Sequence, residues 1–216
     1  MAAADPGGQA RIRPYRPGDL DALYRICLLT ADNGQDATAL YADPRLPGHL
    51  YAAPYGLFEP SLAFVAEDAA GVGGYVVGAL DSLAFAERLE RHWWPSLRSR
   101  YPEPPAEIPP GQRTPQQHAA YQIHHPWGTS AVVRRYPSHL HIDLLPRLQG
   151  RGHGSRLITT LTGALRAQGS AGLHLHVGPA NQRAAGFYRH VGFAEYPADD
   201  VHVFTMDLRG AQPGRG

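Results

Sequence analysis

The chain has 216 residues, 43% of them hydrophobic, and a formal net charge of +1, which suits one domain with a sizeable core. All 20 basic residues are arginine, so a P-loop lysine, a Schiff-base lysine and a lysine nucleophile are excluded. The single cysteine, Cys27, excludes an intramolecular disulfide and a cysteine-based zinc cluster, and the balanced charge does not indicate a nucleic-acid or membrane partner.

The N-terminal segment MAAADPGGQA lacks the basic and apolar regions of a signal peptide, and no apolar run reaches membrane-spanning length. We therefore expect a cytoplasmic protein.

The first part of the chain predicts a strand, a helix and a hairpin. Residues 10–15 form a short predicted strand, and residues 17–29 have a helical pattern with Asp19 as candidate cap. Residues 31–60 are rich in Pro, Gly, Tyr and Asp and predict short helical turns. Residues 61–81 contain two apolar runs joined by the turn signal DAAGVG, which indicates a β-hairpin.

The middle of the chain departs from this regular alternation. Residues 82–101 have helical periodicity, and six prolines follow between Pro102 and Pro115. Proline at this density predicts an extended surface excursion. Residues 138–145 then alternate like a strand and lead into a glycine-rich turn.

The last part predicts a helix after the glycines, a strand at residues 171–177, a short helix at residues 181–193 and a final strand at residues 201–208. Strands and helices therefore alternate along the chain. This order predicts an α/β protein built on a mixed sheet.

The segment QGRGHG, residues 149–154, joins a predicted strand to a predicted helix and contains three alternating glycines. Backbone N–H groups in such a turn, together with the helix dipole, favour a phosphate or pyrophosphate. A P-loop is excluded because it needs Gly-Lys-Ser/Thr. A dinucleotide fingerprint matches weakly, because Ser155 occupies its third glycine position and no acid follows the next strand.

The same segment matches the pattern Q/R-x-x-G-x-G/A and resembles the pyrophosphate-binding turn of the Gcn5-related N-acetyltransferase (GNAT) superfamily. RIRPYRPGDLDALYRI, IDLLP and NQRAAGFYRHVGF resemble three further segments of that family, and the likeness covers most of residues 11–208. It implies an α/β fold with a mixed, mostly antiparallel sheet of about six to seven strands flanked by helices. We expect a single domain at residues 10–208 with an insertion at about 83–137, and flexible termini at 1–9 and 209–216.

GYVVGALD, WWPSLRSRYP and YPSHLHIDL resemble the acetyltransferase-like domain at the C-terminus of eukaryotic O-GlcNAc hydrolases and its stand-alone bacterial relatives. The eukaryotic domain lacks the glycine turn that this chain keeps. The resemblance implies an acetyl-CoA-dependent N-acetyltransferase that acts on a small amine, a peptide or a protein, without a metal, as a monomer or homodimer. The alternative is a catalytically silent module that binds acetyl-CoA or a protein partner.

The resemblance also implies which residues bind acetyl-CoA. The glycine turn would hold the pyrophosphate, the strand before it would pair with the pantetheine arm, and a backbone N–H near Leu144 or Leu145 would polarise the thioester carbonyl. Asn181 and Tyr188 share a helix face with a rise of about 10 Å between them. The implied cofactor residues are Leu144, Gln149, Gly150, Arg151, Gly152, His153, Gly154, Ser155, Asn181 and Tyr188.

Three residues are candidates for the chemistry. Tyr188 would donate a proton to the leaving thiolate, and Asp143, or alternatively Asp81, would accept the proton of the ammonium. Each has a structural alternative: Tyr188 as a core aromatic, Asp143 as a solvated strand residue, and Asp81 as a helix cap. Asn181 likewise could act as an N-cap. Cys27 lies mid-helix and far in sequence from the turn, so we expect direct transfer without a thioacyl intermediate.

Histidines alternate on two predicted strands, at His139 and His141 and at His174 and His176. If the strands are neighbours, four imidazoles converge near Asp143, as in a metal site. A parallel pair is expected to offer no pocket, so a polar or pH-sensitive face is favoured over a metal. Aromatic residues such as Tyr51, Tyr55 and Trp94 are candidates for an acceptor groove, with core packing as the alternative.

Overall fold

The computed structural model describes residues 10–126, 131–197 and 202–209. The predicted flexible ends, apart from Arg209, lie outside these residues. The strands are β1 (Arg11–Pro14), β2 (Ala63–Asp68), β3 (Gly71–Ala79), β4 (Ser138–Leu144), β5 (Gly172–Val177), β6 (Ala194–Tyr196) and β7 (His202–Asp207). The longer helices are α1 (Leu20–Leu28), α2 (Leu46–Tyr51), α3 (Ala53–Phe58), α4 (Ser82–His92), α5 (Trp94–Arg100), α6 (Pro115–His124), α7 (Ala131–Arg135), α8 (His153–Ala167) and α9 (Gln182–His190).

The described strands form one seven-stranded sheet in the order β1-β2-β3-β4-β5-β7-β6. Only the β4–β5 pair is parallel, and every other neighbouring pair is antiparallel. The predicted mixed, mostly antiparallel sheet is therefore confirmed. No helix within the described ranges combines the length and apolarity needed to cross a bilayer.

Alternation along β4 assigns its side chains to two cores on opposite faces of the sheet. Leu140 packs with α8 and α9 in a cluster that includes Leu161 and Phe204. The opposite face carries a second cluster that includes Tyr75 and Phe85, and helices α1 to α6 cover it. The odd-numbered positions of β4 therefore face helices α1 to α6, and the even-numbered positions face α8.

The insertion is more helical than the proline-rich sequence predicted. The helix expected at residues 82–101 is two helices, because the backbone turns at Trp93 (φ −120°, ψ −59°) and Pro95 follows in the first turn of α5. The predicted proline-rich excursion ends in α6, which begins with a capping box formed by Thr114 and Gln117. Helices α6 and α7 were not predicted.

Near the N-terminus, Asp19 does not cap α1 through its side chain, contrary to expectation. Its carboxylate instead accepts two hydrogen bonds from the Arg13 guanidinium, at 2.7 and 2.9 Å, and one from the Arg16 N–H at 2.8 Å. The Arg13 and Asp19 side chains are only 7% and 11% exposed. The Arg13 hydrogen bonds lower the pKa of Asp19, so this pair fastens the first strand to the first helix.

Strands β4 and β5 separate after two residue pairs. They pair only at Ser138 with Leu173 and at His139 with His174, whereas β4 stays paired with β3 as far as Leu144. The edge of β4 from Leu140 to Leu144 therefore has no strand partner on the β5 side.

Replacing Arg13 with Met should lower the free energy of unfolding by about 3 kcal/mol, because it leaves the Asp19 carboxylate without its buried partner. The lowered pKa of Asp19 means that the stabilisation is present above its ordinary value of 3.8 and is lost as the pH falls through the folded-state pKa. The difference between wild type and Arg13→Met should therefore shrink below pH 3.8. Urea unfolding at neutral and acidic pH measures it.

The matched control is Arg11→Met, on the same strand but exposed, which should change stability by about 0.5 kcal/mol or less. Equal losses for the two variants would contradict the role of the buried pair.

Candidate functional site

A cavity of about 1310 Å³ lies where β4 and β5 separate. Its walls come from both strands, the start of α8, helix α9 and the helices of the insertion. The expectation that a parallel pair offers no obvious pocket was wrong, because the two strands pair at only two residue pairs before they diverge.

The glycine turn forms one end of this cavity. Gly150 and Gly152 have φ of 70° and 76°, in the left-handed region that favours glycine. Helix α8 begins without a side-chain cap, and its first ladder bond joins the Arg156 N–H to the Gly152 carbonyl at 3.1 Å. The preceding N–H groups, at residues 153–155, therefore have no partner within the helix and are available to an anion.

Gly154 is needed for a different reason. A Cβ placed there would lie 3.0 Å from the ring of Phe187 on α9. The absence of a side chain thus allows the Phe187 ring of α9 to pack against the start of α8 beside the turn.

Two members of the predicted turn point elsewhere. The His153 side chain is fully buried, and its Nε2 accepts from the Ala10 N–H at 3.5 Å, so only its backbone can contact a ligand at the turn. Arg151 is exposed and does not line the cavity. Gln149 donates to the Leu144 carbonyl at 2.6 Å and accepts from Arg183, which ties the turn to both β4 and α9.

The open edge of β4 presents hydrogen-bonding groups to the cavity. The Leu145 N–H donates to the Gly73 carbonyl at 2.8 Å, so it cannot polarise a thioester as the sequence had suggested. Because hydrogen-bonding direction alternates along an antiparallel strand, the N–H groups of Ile142 and Leu144 point away from β3, toward the gap. Leu144 therefore remains the candidate donor.

Asn181 and Tyr188 both line the cavity from α9. Asn181 caps the helix by accepting from the Ala184 N–H at 3.0 Å, which leaves its amide NH₂ for a ligand. Tyr188 is 8% exposed and packs on Phe193 and Phe204, with ring centroids 5.5 and 5.7 Å away. Asn181 can therefore cap the helix and still face a ligand, and Tyr188 can pack in the core and still line the cavity.

Asp143 also lines the cavity, on the odd-numbered face of β4. Its carboxylate accepts a hydrogen bond from the hydroxyl of Tyr75, which lies opposite Asp143 on β3. Tyr75 is completely buried. Burial raises the pKa of Asp143, and the Tyr75 hydrogen bond opposes that rise. Burial, and then the Asp143 charge, raise the pKa of Tyr188, so the phenol keeps its proton. The cavity wall therefore contains a carboxylate with a raised pKa and a protonated phenol.

Cys27 lines the cavity as well, although it is far from the turn in sequence. Burial and the charge of Asp143 raise the pKa of its thiol, so it is protonated at neutral pH and a poor nucleophile. The contact of Tyr75 with Asp143 and the position of Cys27 could not be predicted from the sequence. Only the strand register and the docking of α1 reveal them.

Asp81 is separated from the other candidates. Its carboxylate accepts from the Leu83 and Ala84 N–H groups at 2.9 and 3.0 Å, so it caps α4. It does not line the cavity, and its geometry supports the structural alternative rather than an acid–base role.

The four histidines do converge, on the insertion side of the sheet. Ring centroids lie 5.8 Å apart for His139 and His174, and 5.6 Å for His174 and His176. His139 bonds the Tyr55 hydroxyl at 2.8 Å and Ser82 at 2.7 Å. Burial lowers the pKa of His139 well below its ordinary value. Within the described residues, no group of three or more His, Cys, Asp or Glu side chains could hold a metal ion.

Comparison with known proteins matches residues 35–193 to the model of the acetyltransferase (GNAT) family. Protein O-GlcNAcase of Rattus norvegicus is 27% identical over 188 residues, which are 85% of this chain and 20% of the rat protein. The mouse protein matches to the same extent. The chain thus spans about a fifth of the length of these curated relatives.

Among solved structures, SsHAT is 40% identical with a TM-score of 0.85, and the match covers 94% of this chain and all of that one. YncA from Salmonella typhimurium, solved with acetyl-CoA, is 14% identical with a TM-score of 0.53 over 96% of this chain and 99% of its own. At that identity the second match shows a shared fold.

Proposed function

The chain is a member of the acetyltransferase (GNAT) family, and we propose that it moves an acetyl group from acetyl-CoA directly to an amine. The observation that carries this proposal is the gap between β4 and β5, which has the glycine turn at one end and Asp143 and Tyr188 in its wall.

Acetyl-CoA would enter with its pyrophosphate on the uncapped start of α8. The unpaired N–H groups there, the helix dipole and the left-handed glycines together favour an anion. The pantetheine arm is rich in amides and would hydrogen-bond along the open edge of β4 like an added strand, with the Asn181 amide on its other side. The Leu144 N–H would then donate to the thioester oxygen and stabilise the oxyanion of the tetrahedral intermediate.

Asp143 would take a proton from the acceptor ammonium, because its raised pKa makes it a better base than an exposed carboxylate. The neutral amine attacks the thioester carbonyl carbon, and the intermediate collapses with cleavage of the carbon–sulfur bond. Tyr188, kept protonated by burial, would donate its proton to the departing thiolate. The nitrogen would lose a second proton as the amide forms, and this proton would restore the Tyr188 phenol. The proton held by Asp143 would pass to solvent, so one proton is released overall. Cys27, as a neutral thiol, would take no part.

Acetyl-CoA should raise the melting temperature, and NAD should not. A ligand at 100 times its Kd adds about 2.7 kcal/mol to the stability of the folded state. Gly152→Val should weaken acetyl-CoA binding at least about tenfold, because the side chain would enter the space of the pyrophosphate from a backbone with φ of 76°. Thermal shift and calorimetric titration measure both effects.

Gly163→Val is the matched control, in the same helix but exposed and with open space around its Cβ. It should bind acetyl-CoA as wild type does. Stabilisation by NAD alone, or unchanged affinity in folded Gly152→Val, would contradict the cofactor assignment.

Tyr188→Phe should lower kcat by about 100-fold to 10,000-fold, the usual worth of a general acid, while the affinity for acetyl-CoA changes little. The ring and its packing on Phe204 are kept, so the loss reports the hydroxyl. Thiol release during turnover of an acetylated amine measures the rate. Tyr196→Phe, also in the cavity wall, is the control, and equal rates for both variants would remove Tyr188 from the chemistry.

Asp143→Asn should lower kcat at neutral pH by about 100-fold or more, because the amide cannot accept the ammonium proton. The wild-type rate should fall as the pH drops through the raised pKa of Asp143. The deficit of the variant should shrink as the pH rises toward the pKa of the amine. A full rate–pH profile of both proteins tests this, and parallel profiles would exclude Asp143 as the base.

If acetyl-CoA binds tightly but no amine is acetylated, the chain acts as a silent acetyl-CoA-binding module.

A further inference from the structure

The wall of the cavity carries very little charge. Of the described residues that line it, Asp143 is the one carboxylate and Arg183 the one guanidinium. Arg183 lies on α9 and bonds to Gln149 of the glycine turn, so it belongs to the acetyl-CoA end. On the acceptor side, Asp143 is therefore the one group of opposite charge that a cationic amine can meet.

The remainder of that side is aromatic and polar but uncharged. We define the acceptor half of the cavity by Tyr51, Tyr55, Phe85, Gln122, His139 and His141. Tyr55 stacks on Phe85 with centroids 4.7 Å apart, and His141 lies 5.3 Å from both the Tyr51 and the Tyr55 rings.

Several polar atoms of the acceptor half hydrogen-bond to neighbouring side chains. The Tyr51 hydroxyl donates to Gln122 at 2.5 Å, and His139 is held between Tyr55 and Ser82. Burial lowers the pKa of His141 to about 4, so this imidazole is neutral at physiological pH. The acceptor half therefore offers neither a cation nor a second anion to a bound molecule.

Helices α3, α4 and α6 close this half from the side opposite the sheet. Phe85 of α4 and Gln122 of α6 line it and are 3% and 7% exposed, and Tyr55 of α3 is 4% exposed. A ligand there is held between the helices and β4, and an extended polypeptide would have to displace them.

The geometry points to a compact monoamine as the acceptor, with its ammonium at Asp143 and an uncharged aromatic or aliphatic body in the acceptor half. This inference rests on the proposed function and narrows it. A second ammonium, as in a polyamine, or a carboxylate, as in a free amino acid, would be buried without a partner of opposite charge, which is strongly unfavourable. A protein lysine is a poorer fit, because the polypeptide that carries it would have to pack against the helical wall.

Two pairs of amines that differ by one charged group test this directly. The kcat/KM of phenethylamine should exceed that of phenylalanine by at least about 100-fold. The kcat/KM of hexylamine should exceed that of hexamethylenediamine by at least the same factor. A lysine-containing peptide should be a poorer substrate than hexylamine. Equal or reversed preference in either pair, or a better peptide substrate, would overturn the inference.

The variant Gln122→Glu adds a carboxylate of nearly the same shape to the acceptor half, and it still accepts from Tyr51. It should raise the kcat/KM of hexamethylenediamine relative to hexylamine by about tenfold or more, because the second ammonium gains a partner. Gln112→Glu makes the same charge change at an exposed position outside the cavity, and it should keep the wild-type ratio. Unchanged ratios in a folded Gln122→Glu protein would contradict the assignment of this half.

Binding measurements separate this inference from the proposed function. Each amine is titrated by calorimetry into the protein saturated with coenzyme A, a readout that does not require turnover. The monoamines should bind at least about tenfold more tightly than their charged counterparts, even if no acetyl transfer occurs. Absence of transfer with this preference intact would contradict catalysis alone, whereas tighter binding of the diamine or the amino acid would contradict the monoamine inference alone.

Discussion

The separation of β4 from β5 is the constraint on which the site depends. A parallel pair normally continues to hydrogen-bond along its length, and each unpaired backbone group in a buried strand is costly. Here pairing stops after His139 and His174, and the unpaired edge of β4 faces a cavity instead of a strand. The unpaired backbone groups of β4 are available to an amide-rich ligand, which is why we propose that the pantetheine arm of acetyl-CoA binds along this edge.

Several features hold this separation in place. Gln149 bonds the Leu144 carbonyl and Arg183, which fixes the far end of β4 relative to α9. At the near end, His174 bonds the Tyr136 carbonyl at 2.6 Å and His139 is held between Tyr55 and Ser82. The gap is therefore bounded by directed hydrogen bonds at both ends, and the insertion packs over one face of it. This arrangement gives a preformed site rather than one that needs a large rearrangement.

Much of this architecture could be read from the sequence, because it depends on local patterns. Alternating residues identified β4, the glycines marked the start of α8, and NQRAAGFYRHVGF located α9 with Asn181 and Tyr188. Features that depend on strand register or on packing could not be predicted from the sequence. The sequence gives no sign that Tyr75 lies opposite Asp143, that Leu145 is bonded to Gly73, or that α1 places Cys27 in the cavity wall. Asp19 was misjudged because its partner, Arg13, comes from a neighbouring element.

The close approach at Gly154 has a consequence for how the site can change over evolution. The Phe187 ring lies 3.0 Å from the position that a Cβ would occupy there, so the packing of this ring against the start of α8 requires a glycine. Any side chain at residue 154 would therefore displace the Phe187 ring and change the shape of the cavity wall beside the glycine turn. A larger residue at position 154 would fit only if a smaller residue replaced Phe187. We therefore expect the two positions to change together or not at all.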